Sequence, residues 1–161
     1  MASPLPKATE TIPYLYRFLL TNVESLFALG GVLMCLTNPG FYLSGLTRET
    51  ITAIQPTTDF IYTQLAGGWL VIVFIEAVVL RFVDDVRVWK LLCGAVLLSD
   101  VLYTHSVAQA VGGWGEWLKV WEWTGQDWGV TVTTWPFVLV RVAIVAGIGL
   151  KKGEDGGRKR L

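Results

Sequence analysis

The sequence predicts an all-α protein, a polytopic membrane bundle of four transmembrane helices. Only 16% of its residues are charged and 53% are hydrophobic, whereas soluble globular domains carry about 25% charged residues. The apolar residues also fall into four blocks, each close to the roughly 20 residues that a helix needs to cross a hydrocarbon core. These two observations favour one membrane domain over several soluble ones.

The first half of the chain is predicted to hold two spans joined by a long loop, residues 37–61. Residues 1–12 form a cytosolic N-terminal segment, and the first span runs over about 13–36 up to a turn-forming Asn-Pro-Gly sequence. The second span covers about 62–82 and contains Glu76. Because only residues 83–88 separate it from the next span, the two helices are expected to form a tight antiparallel hairpin, with a solvated turn at its Asp-Asp sequence.

The second half is predicted to hold the other two spans. The third covers about 89–111 and carries Asp100 and His105, and the fourth covers about 134–150 and carries Arg141. The connection between them is rich in tryptophan, which prefers the boundary between lipid headgroups and acyl chains. Membrane anchoring is therefore favoured over substrate contact for five of its residues, Trp114, Trp117, Trp121, Trp123 and Trp128.

Lysine and arginine predict the orientation, because cytosolic loops are enriched in them. Only Arg48 and Lys119 lie on one side of the predicted membrane, and the other side, with the basic tail 151–161, is assigned to the cytosol together with both termini. The tail also loosely resembles a basic ER-retrieval signal. The basic residues of the cytosolic side are Lys7, Arg81, Arg87, Lys90, Lys151, Lys152, Arg158, Lys159 and Arg160.

Several functional classes are excluded by what the sequence lacks. Its net charge is zero, and basic residues do not cluster with aromatic ones as on nucleic-acid-binding surfaces. Cys35 and Cys93 lie in apolar segments without CxxC spacing, so buried thiols are predicted instead of a zinc site or a disulfide. HExxH, GxSxG, Walker and GxGxxG patterns are absent, and no cofactor or metal is expected.

Ionisable residues inside the spans are the candidate site, because buried charges in a membrane face the bundle interior and mark function. At about 1.5 Å per residue, Glu24 and Asp100 lie roughly 16 Å, and Arg141 roughly 14 Å, from the cytosolic ends of their spans. The three are thus predicted to meet near the bilayer midplane. Glu76 is predicted to lie only about 7 Å deep, where it could snorkel or pair.

Neighbouring polar residues are weighed as helpers of this site. Tyr103 follows Asp100 at i+3 and shares its helix face, which makes it a candidate for positioning a substrate. His105 is turned away from that face, and a lone histidine in a span is more typical of packing than of catalysis. Asn22 flanks Glu24, and Asn22, Glu76 and His105 are predicted only as accessory residues.

Two interpretations of Glu24, Asp100 and Arg141 remain open. They could form a structural ion-pair network that fixes the helix register. Alternatively, two carboxyls beside one arginine can hold different protonation states, so that one donates a proton while the other activates water. Opening an epoxide requires this pair of functions. The combination resembles the active site of the limonene-type epoxide hydrolases, which are soluble and differently folded, so the likeness is one of chemistry alone.

Three segments carry a resemblance to a wider group: IPYLYRFLLTNVESLFALGG at 12–31, the turn at 39–46, and QLAGGWLVIVFIEAVVLRFVDDVRVWKLLCGAVLLSDVLYTHS at 64–106. Over about half its length the chain resembles small fungal four-span membrane proteins, distantly similar in layout to the EXPERA sterol isomerases and sterol-binding receptors. The resemblance implies secondary-metabolite biosynthesis, such as that of mycotoxins, on a polyene polyketide or meroterpenoid. It also implies that Glu24, Glu76, Asp100 and His105 could protonate an alkene, as in EXPERA isomerases.

The leading functional hypothesis is thus an ER-membrane hydrolase, cyclase or isomerase that opens an epoxide in a lipophilic substrate taken from the membrane lipid. The first alternative is a sterol- or lipid-binding protein without catalysis, in which the tryptophan-rich loop is a lid. A cofactor-free oxygenase ranks last. A channel is disfavoured because four spans with few polar residues do not enclose a conduit, and no oligomeric state is predicted.

Overall fold

The computed structural model describes residues 6–151, and in this range every regular element is helical. Four helices are long and apolar enough to cross a membrane. The protein is therefore an integral membrane protein, and the predicted all-α four-helix bundle is confirmed. Span 1 is Tyr14–Thr37, span 2 is Pro56–Phe82, span 3 is Val86–Ala110 and span 4 is Gly125–Ala146.

The bundle is built from two helix pairs, spans 1 and 2 and spans 3 and 4, which pack against each other near the middle of spans 1 and 4. The N-terminal helix Ala8–Thr11, the turn at 83–85 and the end of span 4 lie on one face, called the termini side below. There the backbone N–H of Lys151 donates to the Thr11 carbonyl at 2.9 Å. The connections 38–55 and 111–124 form the opposite face, called the long-loop side.

The N-terminal helix is part of the bundle, because Ala8 and Ile12 are each only 1% exposed within the core of the termini side. The turn between spans 2 and 3 holds this helix in place. Asp84 accepts hydrogen bonds from the Thr9 backbone N–H at 2.7 Å and the Thr9 hydroxyl at 2.8 Å. Asp85 accepts from the Arg87 backbone N–H at 2.7 Å and so caps span 3. The turn that was expected to be merely solvated thus has two structural roles.

The connections on the long-loop side are shorter and more ordered than the sequence predicts. Span 2 begins at Pro56 instead of residue 62. Asn38 caps a further helix, Pro39–Leu46, by accepting from the Phe41 backbone N–H at 3.1 Å. The region predicted to be a tryptophan-rich loop contains helices Trp114–Trp117 and Val120–Glu122.

Span 4 differs most from its predicted bounds of 134–150. It begins with a segment, Gly125–Val132, that lies in the predicted loop, and continues after a break as Trp135–Ala146. The helix ends at Gly147, whose φ of 77° is in the left-handed region that glycine adopts without penalty. The predicted basic residues Lys152, Arg158, Lys159 and Arg160 lie outside the described residues.

Two spans contain π-helical turns. In span 1, the segment Leu19–Glu24 is π-helical between α-helical segments Tyr14–Phe18 and Ser25–Thr37. In span 2, Ile75–Val79 is π-helical after the α-helix Asp59–Phe74, which follows a 3-10 turn at Pro56–Thr58, and before Leu80–Phe82. Each π-helical turn carries one acidic residue, Glu24 or Glu76. Such turns occur frequently at functional sites.

The tryptophans of the 111–124 connection and its surroundings do not form a simple row at the membrane boundary. The Trp117 ring is 9% exposed and packs on Trp123 and Trp135, with ring centroids 5.5 and 6.3 Å away. Trp121 is 81% exposed. Part of the set therefore forms a packed cluster, and part remains available for the membrane surface.

Candidate functional site

Arg141 stands at the centre of the candidate site, with only 1% of its surface exposed. Its Nη1 atom lies 2.6 Å from Asp100 Oδ2. Its Nη2 atom lies 2.6 Å from Glu76 Oε1 and 2.5 Å from Glu24 Oε1. Each of the four spans thus contributes one residue to this group, which we call the charge cluster.

The structure brings together the three residues that were predicted to share one level, Glu24, Asp100 and Arg141. The sequence predicts Glu76 at a shallower depth, where it could snorkel or pair, and in the structure it is a full member of the charge cluster. Glu24 and Glu76 both lie in π-helical turns. No residue pattern in the sequence marks those turns.

The three carboxyl groups do not share Arg141 equally. Nη1 contacts Asp100, while Nη2 contacts both Glu24 and Glu76. The second oxygens of the glutamates, Glu24 Oε2 and Glu76 Oε2, are buried without a hydrogen-bond partner among the described residues. Three ionised carboxyls would outnumber one guanidinium and leave two buried negative charges unbalanced. Because an unpaired buried charge is costly, we expect the cluster to retain protons.

A cavity of about 470 Å³ opens from the charge cluster toward the long-loop side. Glu24, Asp100 and Arg141 form its polar floor. One wall is aromatic: the Trp69 ring packs edge-on against Tyr42 and Tyr103, with centroids 5.7 and 5.8 Å away. Its volume is within the range of about 300–1,000 Å³ typical of small-molecule sites. The remaining lining is mostly apolar and includes Leu26, Phe27, Met34, Phe41 and Ile72.

All four residues predicted to be catalytic line this cavity, namely Glu24, Asp100, Tyr103 and Arg141. Of the predicted accessory residues, Glu76 lies behind Arg141 in the charge cluster and is not in the lining. The other two are placed elsewhere. Asn22 Oδ1 accepts from Arg81 Nη2 at 2.7 Å, and His105 Nδ1 accepts from Trp114 Nε1 at 3.1 Å.

The roof of the cavity was not foreseen from the sequence. It consists of the Pro39–Leu46 helix and the Gly125–Val132 segment, which pack together. Arg48 Nε donates to Asp127 Oδ2 at 2.9 Å, and Gln126 Nε2 donates to Glu49 Oε1 at 2.8 Å. These bonds join the 38–55 connection to the start of span 4, and no pattern in the sequence indicates this pairing. None of the five loop tryptophans is in the cavity lining, so the expected tryptophan lid is not its roof.

The donor set does not favour a metal ion in the described part of the chain. No group of three or more His, Cys, Asp or Glu side chains there is arranged to hold one. At the charge cluster, the Arg141 guanidinium occupies the position between the carboxyls that a cation would need. Cys35 and Cys93 are free and buried, as predicted.

A family model described as "Domain of unknown function (DUF7704)" matches residues 9–151. The match covers all four spans and the charge cluster, and the chain belongs to this family. No curated protein and no solved structure matches the chain.

Proposed function

We propose that this DUF7704 protein is a membrane-embedded enzyme that opens an epoxide in a lipophilic substrate by acid–base chemistry. The observation that carries the proposal is the position of Glu24, Asp100 and Arg141 at the floor of a mostly apolar cavity. An apolar wall suits an apolar substrate, and two carboxyls on one guanidinium suit paired proton transfer.

The unequal contacts of Arg141 support different chemical roles for Asp100 and Glu24. Asp100 has Nη1 to itself, which favours its ionised form and the role of base. Glu24 shares Nη2 with Glu76, and two carboxyl groups on one nitrogen favour a protonated carboxylic acid, for which Glu24 is proposed because it lines the cavity. Glu76 touches Arg141 and not the cavity, and is proposed as a positioning residue.

The reaction then follows in balanced steps. Glu24 donates its proton to the epoxide oxygen as the carbon–oxygen bond breaks, and Asp100 takes a proton from the water that attacks the carbon. The product is a diol, and one proton returns from Asp100 to Glu24 to restore the site. If an internal hydroxyl attacks in place of water, the product is a cyclic ether alcohol. The Tyr103 hydroxyl is proposed to orient the oxygen in either case.

The setting of the enzyme is part of the proposal. The resemblance to fungal four-span proteins favours the endoplasmic reticulum and a polyene polyketide or meroterpenoid substrate. The distribution of basic residues favours cytosolic termini, with the long-loop side in the lumen. The substrate is then a secondary-metabolite intermediate that partitions into the membrane lipid.

Substitution of Asp100 by Asn tests the proposal. The side chain keeps its volume and can still accept a bond from Arg141, but it can no longer take a proton. Turnover of lipophilic epoxides in microsomes should fall by about 10²- to 10⁴-fold. Water enriched in heavy oxygen should place its label in the diol of the unaltered enzyme, as measured by mass spectrometry.

Asp59→Asn is the matched control, because Asp59 is exposed at the start of span 2 and away from the cavity. This variant should retain full turnover. A folded Asp100→Asn protein that turns over epoxides like the control would refute the assignment. Unlabelled cyclised or rearranged product would point to a cyclase or to an EXPERA-like isomerase that uses the same acid.

A second candidate function is binding of a sterol or another lipid without catalysis. The predominance of apolar side chains in the cavity lining favours it. Saturable binding of a radiolabelled sterol that survives the double substitution Glu24→Gln and Asp100→Asn, together with no turnover of any epoxide, would favour this function over the enzyme.

A further inference from the structure

The cavity has an incomplete wall between spans 1 and 4. On the termini side of this wall, the spans are closed by the Glu24–Arg141 contact and by the Phe27 and Phe137 rings, whose centroids are 6.0 Å apart. On the long-loop side, the gap is bordered by the Gly125–Val132 segment, which contacts the Pro39–Leu46 helix and presents Gly129 at its edge. Between these closures, several lining residues are exposed on the outside of the bundle.

The exposed lining residues identify the opening. Leu26 lines the cavity and is 66% exposed, and Gly30 and Gly129 line it from the two facing spans and are also exposed. A Cβ atom added at either glycine would meet no atom within 4 Å. Open space therefore begins where the side chains of these two residues would stand.

The opening lies at the depth of the acyl chains. Along span 1, Leu26 and Gly30 follow Tyr14 by 12 and 16 residues, which places them roughly 18 and 24 Å along a helix with a rise of about 1.5 Å per residue. A hydrocarbon core is about 30 Å thick. The opening thus faces lipid, while Glu24 lies at the cavity floor behind it.

We propose that an apolar substrate reaches Glu24 and Asp100 sideways from the bilayer, through this opening, and that Gly30 and Gly129 determine how bulky a substrate can pass. The inference rests on the acid–base function proposed above for its substrate class. The occupant is an apolar molecule of drug-like size with its reactive group at the leading end. A larger side chain at either glycine narrows the opening and leaves the charge cluster unchanged.

Photolabelling tests the route without knowledge of the natural substrate. The full chain in phosphatidylcholine nanodiscs is irradiated with a hexadecyl probe that carries a diazirine, and labelled peptides are identified by mass spectrometry. The unaltered protein should be labelled at the cavity residues Met34 and Tyr103. Gly30→Leu and Gly129→Leu should each reduce that label by about fivefold or more, because the added leucine side chain narrows the opening through which the probe enters.

Gly67→Leu and Gly68→Leu are matched controls. Both glycines are exposed on span 2, have no atom within 4 Å of an added Cβ, and lie outside the cavity lining. These variants should be labelled like the unaltered protein. The two test glycines lie on different spans, and Gly30→Ala adds a smaller side chain than Gly30→Leu. If one variant fails to fold, the others therefore still test the route. Equal cavity labelling in Gly30→Leu, Gly129→Leu and the controls overturns the proposal.

The photolabelling result and the epoxide-turnover result can be interpreted independently of each other. Asp100→Asn should retain cavity labelling although it loses turnover. If no epoxide is turned over but Gly30→Leu blocks labelling, the sideways route stands and the proposed reaction fails. If epoxides are turned over and Gly30→Leu converts a bulky one as fast as the unaltered protein does, the reaction stands and the route is wrong.

Discussion

Arg141 joins all four spans through one guanidinium group. Its two terminal nitrogens contact carboxyl oxygens from spans 1, 2 and 3. A buried ion pair often adds little net stability, since both partners lose their hydration, but removal of one partner leaves the others buried without compensation. Arg141 therefore affects stability more through the loss of its charge than through the strength of any single contact.

Arg141→Gln should accordingly destabilise the bundle by about 3–5 kcal/mol. The loss can be measured as a lower midpoint of thermal or denaturant unfolding in detergent. Arg81→Gln is the control, because Arg81 is exposed and bonds Asn22 and the Thr21 carbonyl at the edge of the bundle. An Arg141→Gln protein as stable as Arg81→Gln would show that the cluster carboxyls are fully neutral without the arginine.

Gly31 and Gly30 are adjacent and have opposite surroundings. A Cβ on Gly31 would overlap the ring of Trp69, whereas a Cβ on Gly30 would meet open space. Both alanine variants gain the same helix propensity, so their difference isolates the clash. Gly31→Ala should be less stable than Gly30→Ala by about 1–3 kcal/mol, as measured by the unfolding midpoint. Equal midpoints would mean that Trp69 moves freely.

At the scale of elements, the N-terminal helix is attached to the rest of the bundle by a titratable group. The slight burial of Asp84 raises its pKa, but the hydrogen bonds from Thr9 and the positive charges of Lys7 and Arg17 outweigh this effect. The net pKa of Asp84 therefore lies below its ordinary value. The attachment is strongest when this carboxyl is ionised.

This shift predicts the direction of a pH dependence. A lowered pKa in the folded state gives stability that is present above the unfolded-state pKa and is lost as the pH falls through the folded-state pKa. Amide exchange at residues 8–12, corrected for intrinsic rates, should accelerate in strong acid. Asp84→Asn should remove this pH dependence, whereas Glu10→Gln, on the same helix, should retain it. Identical profiles in all three proteins would exclude Asp84 as the cause.

The sequence predicted the spans well and the irregular elements poorly. Hydropathy over a long window identifies a membrane helix because burial in lipid requires a minimum apolar length. The π-helical turns at Leu19–Glu24 and Ile75–Val79 and the break in span 4 leave no such trace, because a long hydropathy window averages over a few residues of irregular backbone. The Pro39–Leu46 helix had a local signal in its Asn-Pro start, which was interpreted only as a turn.

At the scale of the whole molecule, the sequence predicts which residues form the candidate site but not the shape of its cavity. Glu24, Asp100 and Arg141 stand out because charges are rare in spans, and a depth count was enough to group them. The cavity depends on how two helix pairs diverge on the long-loop side, and the bonds of Arg48 and Gln126 that close its roof connect distant parts of the chain. Such pairings cannot be read from one sequence.

The two halves of the bundle also differ in packing. On the termini side, Leu20, Cys93 and Ile144 are almost completely buried and form a continuous core with the N-terminal helix. On the long-loop side, the core consists of two smaller clusters, around Cys35 and around Ala108, and the cavity of about 470 Å³ lies in the same half. The more closely packed half thus supports the charge cluster on the termini side, while the half with the long connections contains the cavity.

The position of Arg141 in span 4, after the three spans that carry its acidic partners, has a consequence for biogenesis. Spans emerge from the ribosome in order, so Glu24, Glu76 and Asp100 enter the membrane before the guanidinium that binds them. Each acidic side chain near the middle of a lone helix costs about 2.5–3.5 kcal/mol on insertion scales. A nascent chain that stops before span 4 therefore presents three acidic groups without their guanidinium partner, and we expect it to be less stable in the membrane than a chain that includes Arg141.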